Sequence, residues 1–245
     1  MRLLDLTLPT AAENIALDEA LLEEAESRGA PTETLRFWES PQPLVVVGRS
    51  SQIEAEVRID ACRASQTPIL RRVSGGAAVV AGPGCLMYAL VLSYHSRPQL
   101  RSLTHAHRYV LGMLAAALEP WAPGVQCLGT SDLAIAGRKF SGNSARCRRH
   151  HLLYHGTLLY NFPLEWIDRW LTMPPRMPDY RDGRPHGGFV TNLVVDVATI
   201  RHAIKSVWQA EECCDDWPRD RTAMLVAEKY SQPDWSFGSG FIAIE

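Results

Sequence analysis

Apolar residues recur at helical spacing at both ends and in the middle of the chain, and they run or alternate as strands between. Thr10-x-x-Glu13 makes a capping box ahead of Leu17, Leu21 and Ala25, one face of a helix that Gly29 stops. TLRFW and PLVVVG predict short strands, and a polar stretch over 54–65 predicts a helix. PILRR and AAVV flank the turn Ser74-Gly75-Gly76, which by itself is an ordinary hairpin signal, and CLMYALVLSY predicts a long buried strand. Residues 104–118 carry Val110, Met113, Leu114 and Ala117 on one helical face. From 125 to 161 the pattern is strands joined by a glycine-marked basic loop, GRKFSGN. Leu164, Ile167 and Leu171 mark a short helix, which MPPRMPDYRDGRPHGG follows as a loop and FVTNLVV as a strand. Helices over about 199–209 and 219–230 close the chain, with Ile200, Ile204 and Val207 toward the core.

Strands in runs with interspersed helices predict an α+β domain, one large mixed β-sheet flanked by helices, with residues 1–245 as a single domain. At 46% hydrophobic and 21% charged the composition is that of a globular chain, which excludes disorder and fibrous repeats. No glycine-rich dinucleotide or P-loop fingerprint opens a helix after a strand. The N-terminal residues lack the apolar core of a signal peptide, and the uncharged run 75–94 is split by Gly82-Pro83-Gly84, so no membrane partner is expected. Six cysteines without C-x-x-C spacing fit reduced thiols and a cytoplasmic location. The eight histidines show no H-E-x-x-H, so no dedicated metal site is expected.

A formal net charge of −2 conceals an uneven distribution. No acid occurs between Asp60 and Glu119, or between Asp132 and Glu165, yet these windows hold eleven of the 25 basic residues. If the windows meet, they form a positive cleft in a near-neutral protein, suited to a small anion more than to nucleic acid. Only three of the basic residues are lysines: Lys139, Lys205 and Lys229.

Three segments carry candidate chemistry. In Arg71-Arg72-Val73-Ser74-Gly75-Gly76, paired glycines allow close backbone approach and arginines add charge-assisted hydrogen bonds; a plain turn with solvated arginines is the bland alternative. In Gly137-Arg138-Lys139-Phe140-Ser141-Gly142-Asn143, an ammonium far from competing acids can meet a carboxylate or phosphate. In LLYHGTLLY, His155-Gly156-Thr157 interrupts an apolar strand, which suggests close approach by a ligand or a core histidine satisfied by backbone.

Six motifs in order resemble the lipoate–protein ligase A family, within the wider biotin/lipoate ligase and octanoyltransferase group. They are NIALDEALL, VVVGRSSQIEAEV, RRVSGGAAVV, SDLAIAGRKFSGNSAR, HGTLL and AEKYSQPDW, spread along nearly the whole chain. The resemblance implies a biotin/lipoate protein ligase-like fold, of the class II aminoacyl-tRNA synthetase-like kind. It also implies ATP-dependent activation of lipoate or octanoate as acyl-AMP, with Mg²⁺, and transfer to a lysine of an acceptor lipoyl-domain protein. By motif position Lys139 is the catalytic residue, touching acyl carbonyl and α-phosphate oxygens. Arg71, Arg72, Ser74, Gly75, Gly76 and Ala77 line the acyl and phosphate site, together with Gly137, Ser141 and Gly142. Asp132 lies near nucleotide or metal, and His155, Gly156 and Thr157 lie against the acyl-adenylate.

The pattern departs from the family at Ala77 (its third glycine), at Ala81-Gly82 (its H-D pair) and at Cys85 (the Asn of its G-N). The chain ends soon after KYSQPDW, where many members begin a C-terminal accessory domain. The resemblance therefore implies a catalytic domain alone, completed by a separate accessory subunit, self-sufficient, or never using ATP. In the last case it would be an octanoyltransferase working from acyl carrier protein through a cysteine thioester, with Cys127 or Cys147 as alternative nucleophile. A non-catalytic acyl- or nucleotide-binding module is a further alternative. A biotin ligase is disfavoured, because that branch carries G-R-G-R-x-G where this chain has RRVSGG.

Overall fold

The computed structural model describes residues 1–238. Eleven strands are β1 (Arg2–Asp5), β2 (Thr34–Trp38), β3 (Leu44–Val47), β4 (Ile69–Arg71), β5 (Val79–Ala81), β6 (Cys85–Ser93), β7 (Val125–Leu128), β8 (Asp132–Ile135), β9 (Arg138–Cys147), β10 (His151–Leu159) and β11 (Glu212–Cys213). Helices among the described residues are α1 (Ala11–Arg28), α2 (Ile53–Glu56), α3 (Ile59–Ala64), α4 (Leu103–Leu118), α5 (Glu165–Trp170), α6 (His186–Phe189), α7 (Val197–Trp208), α8 (Arg219–Leu225) and α9 (Pro233–Phe237). The large sheet runs β11-β1-β2-β6-β10-β9-β8-β7, parallel around β1 and antiparallel elsewhere, and a small sheet runs β4-β3-β5.

All nine residues of β10 are buried, because helices and loops cover both faces of the large sheet. Leu152, Tyr154 and Leu158 pack with Val110 and Leu114 of α4 and Ile200 and Ile204 of α7. Leu153 and Leu159 face the other way, into a core shared with Leu17, Leu21 and Ala25 of α1 and the small sheet. Each such leucine contributes roughly 2 kcal/mol of apolar burial. The capping box that opens α1 is formed: Glu13 N donates to Thr10 Oγ1 at 3.2 Å and Thr10 N to Glu13 Oε2 at 2.8 Å. Gly29 closes the helix in the left-handed region (φ 64°).

Four local expectations need correction. Ser74-Gly75-Gly76 is not a hairpin turn, because β4 and β5 lie on opposite edges of β3 and the loop crosses between them. GRKFSGN is not a loop: Gly137 ends the β8–β9 turn and RKFSGN is the first part of β9. FVTNLVV is not a strand; its one ladder contact is the bridge from Val190 to Lys139. The helix over 54–65 is broken into α2 and α3, since Val57 pairs with Leu171 and Arg58 N donates to Trp170 O.

Candidate active site

A cavity of about 410 Å³ opens between the crossing loop 72–78, the start of β9, the middle of β10 and the segment 172–190. Its apolar wall includes Val46, Val80, Met87, Leu159, Ile167 and Leu171. Its polar wall brings together Arg72, Asp132, Lys139 and His155, so the two acid-free windows do meet.

Lys139 reaches this cavity through a β-bulge. Asp132 pairs with Gly142 and Leu133 with Ser141, but Ala134 pairs with Lys139, which leaves Phe140 as an extra residue in β9. The extra residue puts Lys139 on the face of Asp132 and Gly142, while Phe140 packs into the α4/α7 core. Contrary to the expectation of an ammonium far from acids, Lys139 Nζ lies 2.7 Å from Asp132 Oδ1, because β8 pairs beside β9 and brings the acid that borders the window onto the same face. Tyr180 OH donates to Asp132 Oδ2 at 2.8 Å. A Cβ at Gly142 would sit 2.8 Å from Lys139 Nζ, so glycine there leaves the ammonium its place. Burial, followed by the Asp132 charge, pushes the Tyr180 phenol far above its ordinary pKa, so it stays a donor.

The loop 72–77 is clamped by its own arginine. Arg72 Nε donates to Ser74 Oγ at 3.1 Å, Nη1 to Val46 O, and Nη2 to Gly75 O and Ala77 O. Burial pulls the Arg72 pKa down to about 10, which still leaves it charged near neutral pH. With these carbonyls turned onto Arg72, the amides of Gly75, Gly76 and Ala77 have no acceptor among the described residues. Consecutive free amides beside a cation are an anion cradle.

The other site residues divide. Gly76, Ala77, Gly142, Gly156 and Thr157 line the cavity with the four polar-wall residues. Ser141 lines it too, but it pairs with Leu133, and its Oγ accepts from Asn143 Nδ2 at 3.1 Å. Ser74 and Gly75 lie behind the wall, and Gly137 is held at its edge, its carbonyl accepting from Arg184 Nη2 at 3.0 Å. Arg71 does not face the cavity: it donates to Gly48 O, Arg49 O, Ser51 O, Trp235 O and Ser236 O, tying α9 to the end of β4. Of the family departures, Ala77 alone touches the cavity; Cys85 is buried beside Met87. Cys127 and Cys147 are exposed on β7 and at the end of β9, outside the cavity. Although Cys127 is exposed, partial desolvation by its neighbours pushes its thiol pKa up and no nearby cation among the described residues lowers it, the opposite of what a nucleophile requires.

Several site residues were not among those singled out in the sequence, although Asp18, Glu56 and Asn143 lie within its motifs. Glu56 Oε2 accepts from Ala78 N at 2.7 Å and steadies the crossing loop. Tyr88 OH donates to Asn143 beneath the strand. Asp18 and Arg36 form a buried ion pair behind His155; a carboxylate inside IALDEALL and an arginine inside TLRFW were the available signals. In the 174–188 segment Arg176, Arg181 and His186 line the cavity, while Arg184 is spent on the carbonyls of Gly137, Tyr180 and Arg181.

The large mixed sheet thus carries a lysine, an arginine and free loop amides beside an apolar pocket. Residues 10–209 match the lipoyl protein ligase A/B catalytic domain, and the chain belongs to that family. It is 29% identical over 235 residues to a probable lipoate-protein ligase A of Mycoplasma pneumoniae, covering 92% of this chain and 68% of that one. It is 28% identical over 202 residues to an octanoyltransferase LipM of Symbiobacterium thermophilum, covering 74% and 72%. The chain spans about half the length of two further ligase relatives, 52% and 46%. The fold matches a bi-partite lipoate protein ligase of Thermoplasma acidophilum (TM-score 0.80, 21% identity, 100% and 98% covered). It also matches a lipoate-protein ligase A bound with ATP (TM-score 0.76, 22% identity, 97% and 98% covered).

Proposed function

We propose that the chain is an ATP-dependent lipoate–protein ligase domain, which activates lipoate or octanoate and passes the acyl group to a lysine of an acceptor lipoyl domain. The observation that carries this reading is the convergence of Lys139, Arg72 and the free amides of Gly76 and Ala77 at the polar end of an apolar pocket. In the first step a carboxylate oxygen attacks the α-phosphorus and pyrophosphate leaves. In the second the acceptor amine attacks the acyl carbonyl, loses its proton, and AMP leaves. Both transition states gather negative charge on oxygens that an ammonium and preorganised amides can meet.

Asp132 and Glu56 are the two carboxylates on the cavity wall that could meet Mg²⁺ arriving with ATP. Asp132 would exchange its contacts with Lys139 and Tyr180 for the ion, and Glu56 would use Oε1, since Ala78 N and Ser51 Oγ both donate to Oε2. The ion would neutralise phosphate charge. Support for ATP and for a lipoyl-domain acceptor comes from the ATP-bound ligase of like fold and from the Thermoplasma ligase, described together with its E2 lipoyl domain. The octanoyltransferase alternative rests on the LipM relative. The positions of Cys127 and Cys147 outside the cavity favour the ligase.

The test is mass spectrometry of an acceptor lipoyl domain after incubation with this chain, lipoate and Mg-ATP, against octanoyl-carrier protein without nucleotide. Acylation only in the first mixture supports the ligase. Acylation only in the second, lost in Cys127→Ser or Cys147→Ser, overturns it.

A further inference from the structure

Behind the cavity wall a hydrogen-bonded chain runs from one buried arginine to another. Arg36 Nη1 donates to Asp18 Oδ1 at 2.5 Å, and Asp18 Oδ2 lies 3.1 Å from His155 Nδ1. His155 Nε2 lies 2.5 Å from Ser74 Oγ, and that oxygen accepts from Arg72 Nε at 3.1 Å. Arg36, Asp18 and Ser74 are 0%, 4% and 1% exposed, and none of the three lines the cavity. His155 and Arg72 do line it, so the chain connects the α1/β2 core to the anion cradle.

Proton bookkeeping admits one arrangement in which every donor has an acceptor. Asp18 accepts only, so Nδ1 of His155 carries a proton toward it. Ser74 Oγ already accepts from Arg72, and no other acceptor for its hydroxyl proton is present among the described residues. That proton therefore points at Nε2, which must be bare.

We propose that Asp18 is a positioning residue for acyl transfer: by fixing the Nδ1–H tautomer of His155 it locks Ser74, and through Ser74 the arginine that holds the Gly75 and Ala77 carbonyls and so fixes the loop at the cavity wall. An asparagine at 18 would set its oxygen toward Arg36 and its amide toward His155. The imidazole would then protonate at Nε2, Ser74 would receive two donors, and its own proton would lose its acceptor. The clamp on Arg72 would loosen, although no residue lining the cavity had been substituted.

The proposal rests on acyl transfer at this site, and its test separates the two. The tautomer is read in the substrate-free protein from the imidazole nitrogen resonances of ¹⁵N-labelled His155. The wild type is expected to show a protonated Nδ1 and a bare Nε2, and Asp18→Asn the reverse. Transfer from synthetic lipoyl-AMP to a lipoyl domain is expected to lose about 10–100-fold in kcat in Asp18→Asn, as when a partner orienting a histidine is lost, with little change in KM. Should that variant not fold, the wild-type tautomer still decides the first point and Ser74→Ala carries the kinetic one. A wild-type His155 protonated at Nε2 would overturn the proposal, as would wild-type kcat in a folded Asp18→Asn. Absence of acyl transfer by the wild type from either donor would instead strike the functional reading.

Discussion

Lys139 Nζ rests 2.7 Å from Asp132 Oδ1, so the ammonium proposed to act in acyl transfer is held by a carboxylate before any ligand arrives. The pair keeps the lysine extended across the floor of the cavity, and an incoming phosphate or carboxylate competes with Asp132 for it. Lys139→Ala is expected to lower acyl transfer by about 10²–10³-fold, the usual effect of removing one charge-stabilising donor. Lys139→Arg is expected not to restore it, because a planar fork does not fit the space of a point charge beside Gly142. Single-turnover kinetics together with a melting curve check both points: activity should fall while the fold stays.

Gly142→Ala tests the same geometry from the other side. The added methyl would meet Lys139 Nζ at 2.8 Å and Cε at 2.9 Å, and a flexible side chain gives way more readily than backbone. The expected result is a loss of kcat of roughly tenfold or more, as misplacement of a positioned group brings, with stability close to wild type.

Tyr180→Phe keeps the ring against Phe189, 5.1 Å away, and removes one hydrogen bond to a carboxylate. That should destabilise the protein by about 1–2 kcal/mol in urea denaturation. It should also raise proteolytic cutting within 172–190, since Tyr180 ties that segment to β8.

Acid should weaken the fold before it reaches the carboxylate range. Burial lowers the pKa of His107 below its ordinary 6.5, and burial likewise lowers that of His186, outweighing its hydrogen bond to Thr172 O. Both are neutral when folded and take up a proton more readily unfolded. Their contribution is complete above about pH 6.5 and is lost as pH falls toward the folded pKa values. Melting temperature measured from pH 8 to 5 should therefore decline below about 6.5, and His107→Gln should flatten part of that decline.

Cys127→Ser and Cys147→Ser should each leave acyl transfer within about twofold of wild type, since surface changes away from the site have small effects. Steady-state rates on the acceptor domain read this directly.

Much of the architecture was legible because periodicity and burial agree. The capping box at Thr10 and Glu13, the α4 face through Val110 and Leu114, and the doubly buried β6 and β10 all follow from local pattern. β9 was misread because Gly137, Gly142 and a cluster of polar residues resemble a loop. What makes it a strand is pairing with β8 and β10, a non-local contact. Lys139 was legible as a rare lysine in an acid-free window, but its bulge was not, since register belongs to two strands at once. Arg71 and Arg72 look equivalent in sequence; alternation along the chain sends the first to α9 and the second to the cavity wall. Asp18 and Arg36 reveal their role only when α1 and β2 bring them together 18 residues apart.

The most direct test supplies lipoyl-AMP and an acceptor lipoyl domain to the purified chain without ATP, which isolates the chemistry at Lys139 from activation. The expected result is a lipoyl group on the acceptor lysine with wild type and Cys127→Ser, and almost none with Lys139→Ala. No transfer from lipoyl-AMP, with cysteine-dependent transfer from octanoyl-carrier protein instead, would contradict the account.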